Sequence, residues 1–137
     1  MNANFDEVLA DPGTQRLFDL RLGLLRLHKA LLDHERINFE RVSGRVSSGE
    51  LLQLVITHPQ FAWLRMISAL ATQIDEILAS EEQVSDEDVT NLIVKTRQLF
   101  TSFDDEEFRH KYQTALQKEP AVVMAHSVLM KLLRPTA

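Results

Sequence analysis

The stretch from residue 57 to residue 79, THPQFAWLRMISALATQIDEILA, constrains the fold more than any other part of the chain. At about 100° per residue, its polar side chains collect on one narrow stripe, and apolar side chains cover the rest of the helical surface. A helix that is apolar around most of its circumference is normally buried on several sides. We therefore predict that this segment is the central helix of an all-α protein.

A second strong helical pattern begins at Asp11-Pro12. Aspartate is a favourable residue at a helix N-cap, and proline is tolerated at the first helical position because its missing N–H would be unpaired there anyway. From residue 15 to residue 42, leucines recur on one sector of the projected helix and charged residues lie opposite. The spacing predicts a long amphipathic helix.

The rest of the chain also has helical periodicity, with no alternation typical of a strand. Glycines and serines in residues 43–49 indicate a loop, followed by a short apolar helix over residues 51–56. Further helices are predicted after Ser85, from the acidic run at residues 104–107, and from Ala121 to Leu133. The predicted fold is all-α, an antiparallel helical bundle of four main helices plus one or two short helices. It forms a single domain over residues 1–137, in which residues 1–11 are a loosely ordered N-terminal segment.

Composition excludes several classes of function. The chain has no cysteine, which removes disulfide frameworks, thiolate zinc sites and CxxC redox motifs. The formal charge of −5, without a dense Lys/Arg cluster, argues against nucleic acid as the principal partner. The N-terminus lacks the basic and apolar regions of a secretory signal, and no apolar run approaches the roughly 20 residues of a membrane span. We therefore expect a cytoplasmic protein that binds neither nucleic acid nor a membrane.

Polar residues inside the predicted apolar faces are the main candidates for a site. Arg21, His28 and Glu35 recur every seven residues within the leucine sector of the first long helix. His126 occupies the middle of the last apolar face, and Tyr112 lies on the inner face of the preceding helix. Because burying such groups without partners costs several kcal/mol, they are expected to be paired.

Three interpretations of these five residues stay open. In the first interpretation they form a ligand site. Either Arg21 and the histidines bind a small anion, or His28, Glu35 and His126 bind a metal ion. Alternatively, they form a structural network, within one chain or across a dimer axis. In the third interpretation one end of the helix is exposed, and Arg21 or Glu35 lies in water.

Helix geometry argues against a single metal ion on this line. Residues seven apart on a helix are separated by about 10.5 Å along its axis, which is too far for easy chelation of one ion. The one Glu-x-x-His match, from Glu107 to His110, places its histidine on the solvent side of the projected helix. No phosphate-binding loop, nucleophile motif or metalloprotease motif occurs. We therefore predict no cofactor, no metal and no catalytic residue.

An excess of apolar residues gives the leading functional hypothesis. The segment 57–79, Phe39 and the segment 51–56 together offer more apolar surface than one small bundle is expected to cover. The sequence favours a non-enzymatic interaction or regulatory module that forms a homodimer or binds another protein. The alternative is a ligand-binding or metal-binding bundle that uses the interior arginine, histidine and glutamate residues.

Overall fold

The computed structural model describes residues 11–102 and 104–134. The helices are α1 (Pro12–Ser43), α2 (Ser48–Thr57), α3 (Arg65–Ala79), α4 (Asp86–Thr101), α5 (Glu106–Lys118) and α6 (Pro120–Leu132), and a 3₁₀ segment spans Pro59–Leu64. No strand occurs in the described ranges, and the prediction of an all-α fold is confirmed. Of the N-terminal segment 1–11, which was predicted to be loosely ordered, only Asp11 is described.

Both ends of α1 are set by local chemistry. The carboxylate of Asp11 accepts hydrogen bonds from the backbone N–H and the hydroxyl of Thr14, at 3.1 and 2.8 Å. Pro12 occupies the first helical position, as the sequence predicts. At the other end, Gly44 has φ 84° and ψ 174°, a backbone conformation that is essentially restricted to glycine. The helix therefore starts and stops where its sequence provides a cap.

The central element is α1, and not the segment 57–79 that we expected in that role. α1 is 32 residues long and packs against α3, α4, α5, α6 and the 3₁₀ segment. The segment 57–79 is divided at Leu64 into the 3₁₀ segment and α3. The expectation failed because the projection counted every apolar residue on the helical surface as buried, although such residues also occur at surfaces. Met66 is exposed, and Ile77 and Leu78 are only partly buried.

Two helices run antiparallel to α1 on different sides. Along α3, Trp63 in the preceding 3₁₀ segment contacts Glu35, whereas Asp75 contacts Arg21. Along α6, Glu119 at its N-cap contacts His34, whereas Leu132 near its end lies beside Gly23. A Cβ atom added at Gly23 would lie 3.0 Å from the Cδ1 atom of Leu132. Glycine at this position therefore allows α6 to approach α1 closely.

The core combines the leucines of α1 with a group of aromatic rings. The Phe108 ring lies 5.7 Å from the rings of Trp63 and Phe100 and 5.5 Å from the ring of Tyr112, measured between centroids. These distances are typical of favourable aromatic pairs. The buried leucines of α1 are Leu17, Leu20, Leu24, Leu27 and Leu31. None of the helices in the described residues is long and apolar enough to cross a membrane.

Candidate functional site

Glu35 lies in the interior, where both of its carboxylate oxygens have donors. Its exposed fraction is 6%. The amide of Gln60 donates to Oε1 at 2.7 Å, and the indole N–H of Trp63 donates to Oε2 at 3.2 Å. The ammonium of Lys111 donates to the backbone carbonyl of Gln60 at 3.1 Å. The carboxylate therefore ties α1 to the 3₁₀ segment, and Lys111 ties that segment to α5.

Arg21 and His28, which precede Glu35 on the same face of α1, have different surroundings. Arg21 is partly exposed and forms an ion pair with Asp75 of α3. His28 is half-buried, and its Nε2 atom has no hydrogen-bond partner among the described residues. Burial lowers the pKa of His28, so its imidazole is kept neutral more readily than an exposed one. The face changes from polar and solvated at Arg21 to fully enclosed at Glu35.

Tyr112 and His126 form the polar contact between α5 and α6. The hydroxyl of Tyr112 and the Nδ1 atom of His126 share a hydrogen bond of 2.6 Å. Burial raises the pKa of Tyr112 and lowers the pKa of His126. Both shifts favour the neutral forms, in which a tyrosine hydroxyl donates to an unprotonated imidazole nitrogen. The pair therefore fits a structural contact across the turn between the two helices.

The five candidate residues thus contribute to separate local contacts. Arg21, Glu35 and the Tyr112–His126 pair each have their own partners, and His28 lies between the first two along α1. Across residues 11–102 and 104–134, no three His, Asp or Glu side chains are arranged to hold a metal ion. Three of these contacts join different elements: Arg21 joins α1 to α3, Glu35 joins α1 to the 3₁₀ segment, and Tyr112 joins α5 to α6.

One buried polar contact was missed from the sequence. His34 is buried, its Nδ1 atom lies 3.1 Å from Oε1 of Glu119, and its Nε2 atom lies 3.3 Å from the amide nitrogen of Asn38. The projection of α1 at about 100° per residue places His34 next to Leu27 and Leu31, which is the available signal. Glu119 could not be found in this way, because it caps α6 and lies outside any helical period.

A groove lies between α1 and α6. It has a volume of about 370 Å³ and a mainly apolar lining. The lining includes the small residues Gly23 and Ala30 of α1 and the apolar side chains of Met124 and Val128 of α6. The rim residues on α1 are Arg26, Lys29 and Asp33. The sequence indicates this groove only through apolar residues of α6, such as Met124 and Val128, that lie outside the helix face formed by Val122 and Leu129.

The two half-buried histidines, His28 and His126, predict a loss of stability in mild acid. In the unfolded chain they titrate near pH 6.5, whereas burial lowers the pKa of His28 and His126 in the folded state. The unfolded state therefore binds more protons below about pH 6.5, and stability falls as the pH drops from there toward the folded pKa values. Urea unfolding, followed by fluorescence of Trp63, should give a lower midpoint at about pH 5.5 than at about pH 7.5.

Replacing His28 and His126 together with glutamine should reduce this pH dependence. A His110→Gln variant is the control, since His110 is exposed on α5. If the double variant keeps the full change in urea midpoint between the two pH values, His28 and His126 are not the cause of that change.

Comparison of the chain with protein-family models, with curated proteins and with solved structures gave no match. Function is therefore inferred from the geometry of the interior contacts and of the α1–α6 groove.

Proposed function

We propose that the chain is a non-enzymatic interaction module that forms a homodimer through the groove between α1 and α6. The observation that carries this proposal is the exposed apolar surface at the groove. Met124 is 71% exposed, and Val128 beside it is 46% exposed. On α1, Leu22 and Ile37 are also 46% exposed. Exposed apolar side chains along a groove, with charged residues beside them, are typical of a protein-binding surface.

The shape of the groove supports contact with a helix. It is lined by small and apolar side chains, among them Ala30 of α1 and Ala125 and Val128 of α6, and small side chains let another helix approach closely. Burying apolar side chains of this size contributes about 1.5–3 kcal/mol each. A second copy of the chain brings its own exposed apolar face, so both faces would be covered at once. A helix of a different protein is the other occupant that this surface would fit.

The ligand-binding alternative has one supporting observation, the unpartnered Nε2 atom of His28. The other candidates are already engaged: Arg21 with Asp75, Glu35 with Gln60 and Trp63. A ligand would have to displace these contacts, whereas a protein partner at the α1–α6 groove displaces none of them. We therefore favour the interaction module, and with it a cytoplasmic location, which the lack of cysteine accommodates.

Replacing Met124 with lysine should weaken self-association about tenfold to a hundredfold. The substitution removes the most exposed apolar side chain of α6 and places a cation near Arg26 and Lys29. Sedimentation equilibrium of the unmodified chain and of the variant gives the two dissociation constants, and circular dichroism checks that the helices are retained.

The matched control is Leu52→Lys, which makes the same kind of change at an exposed aliphatic residue of α2. We expect this control to dimerise like the unmodified chain. Equal weakening in both variants, or none in Met124→Lys, would place the interface elsewhere.

A further inference from the structure

Five residues form one exposed stripe along α1. The α1 stripe consists of Leu22, Arg26, Lys29, Asp33 and Ile37. Steps of four, three, four and four residues keep all of them on the same side of a helix. All five are exposed, and the three charged members form the rim of the α1–α6 groove. The stripe is therefore the part of α1 that a partner at the groove would meet.

The α1 stripe is complementary to itself in the antiparallel direction. When two copies are aligned about a point between residues 29 and 30, Leu22 faces Ile37 and Arg26 faces Asp33. Among the described residues, Arg26 has no ion pair and no hydrogen-bond partner. Asp33 binds Lys29 of its own helix at 2.9 Å through one carboxylate oxygen. The second oxygen can accept from a guanidinium, which has several donors in one plane.

The position of Met124 coincides with the midpoint of this alignment. His34 contacts Glu119, and Gly23 lies beside Leu132, which fixes the register between the antiparallel helices α1 and α6. Interpolation between these two contacts puts Met124 at the level of residue 30 on α1, next to that midpoint. The most exposed large apolar side chain of α6 therefore lies where the two copies would be closest.

We infer that the groove is occupied by a second copy of the chain, in a two-fold dimer whose α1 helices pack antiparallel about a point between residues 29 and 30. The inference rests on the proposed self-association and adds its register. A two-fold interface makes each contact twice, so the dimer contains two Leu22–Ile37 contacts and two Arg26–Asp33 ion pairs. Met124 of each copy lies beside the axis, and so does Lys29, which keeps its ion pair with Asp33 of its own helix.

Charge reversal tests this register directly. Arg26→Glu opposes two carboxylates at each pair, and Asp33→Arg opposes two guanidinium groups. Like charges that face each other across an interface are strongly unfavourable, so each variant alone should dimerise at least about tenfold more weakly than the unmodified chain. In an equimolar mixture, both cross pairs are again of opposite sign. The mixture should therefore form a heterodimer, which native mass spectrometry separates from both homodimers by mass.

Each outcome of this experiment separates the register from self-association itself. If the unmodified chain is monomeric, the proposed function fails and the register with it. If the chain dimerises and both variants dimerise as tightly, self-association stands and the register is overturned. The register is also overturned if both variants are weakened and their mixture gives no heterodimer. Lys95→Glu is the control for the change in net charge, because Lys95 is exposed on α4 and pairs with Gln73 of α3.

Discussion

Replacing Phe108 with alanine is expected to lower the free energy of unfolding by about 3–5 kcal/mol. The side chain is fully buried, and its ring packs against those of Trp63, Phe100 and Tyr112. Its removal leaves a cavity among rigid rings, which cannot close without moving helices that are anchored to α1. Urea unfolding followed by circular dichroism at 222 nm, a standard wavelength for helix content, measures the change.

A matched control for this prediction is Phe18→Ala. The residue type and the change are the same, but Phe18 is 40% exposed on α1. We expect a loss of about 1 kcal/mol or less at this position. Similar losses in both variants would show that the aromatic group around Phe108 is not the tightly packed centre that its ring distances indicate.

Removing both donors to Glu35 should also have a large effect. In a variant with Gln60→Leu and Trp63→Phe, the buried carboxylate loses its two hydrogen bonds. We expect the free energy of unfolding at neutral pH to fall by about 3–5 kcal/mol, because an unpaired charge in the interior is expensive. The same two substitutions in a Glu35→Leu background should cost much less, since no carboxylate is then left without donors. The difference between the two backgrounds should be about 0.5–3 kcal/mol.

This comparison tests whether Glu35 serves the fold or a ligand. A structural role predicts a positive coupling energy with Gln60 and Trp63, and no retained small molecule. Equal costs in the two backgrounds would contradict the structural role. In that case Glu35 would again be a candidate for ligand binding, together with His28.

The sequence predicted the helices well because their signals are local. Three helices begin with a capping sequence: Asp11 with Pro12, Ser47 with Glu50, and Ser85 with Asp88. The first residue of each pair is an N-cap in the structure. Amphipathic spacing predicted the buried leucines of α1 for the same reason. The central position of α1 was not predicted, because the number of helices that pack on a given helix depends on contacts between distant residues.

Spacing among apolar residues predicted that Glu35 and Tyr112 face the interior, and both are buried. Their partners could not be predicted, because Gln60 and Trp63 lie in a 3₁₀ segment where the period of an α-helix does not apply. The α1–α6 groove was not predicted either. It depends on the close approach at Gly23, which no single helix pattern indicates.

Native mass spectrometry of the unmodified chain is the most direct test of the proposed function, because one spectrum reports both subunit number and retained mass. We predict a dimer at micromolar concentration that carries no additional mass and dissociates on dilution. A monomer that retains a stoichiometric small molecule, which is lost in a His28→Ala variant, would contradict the interaction module and favour a binding site on the interior face of α1.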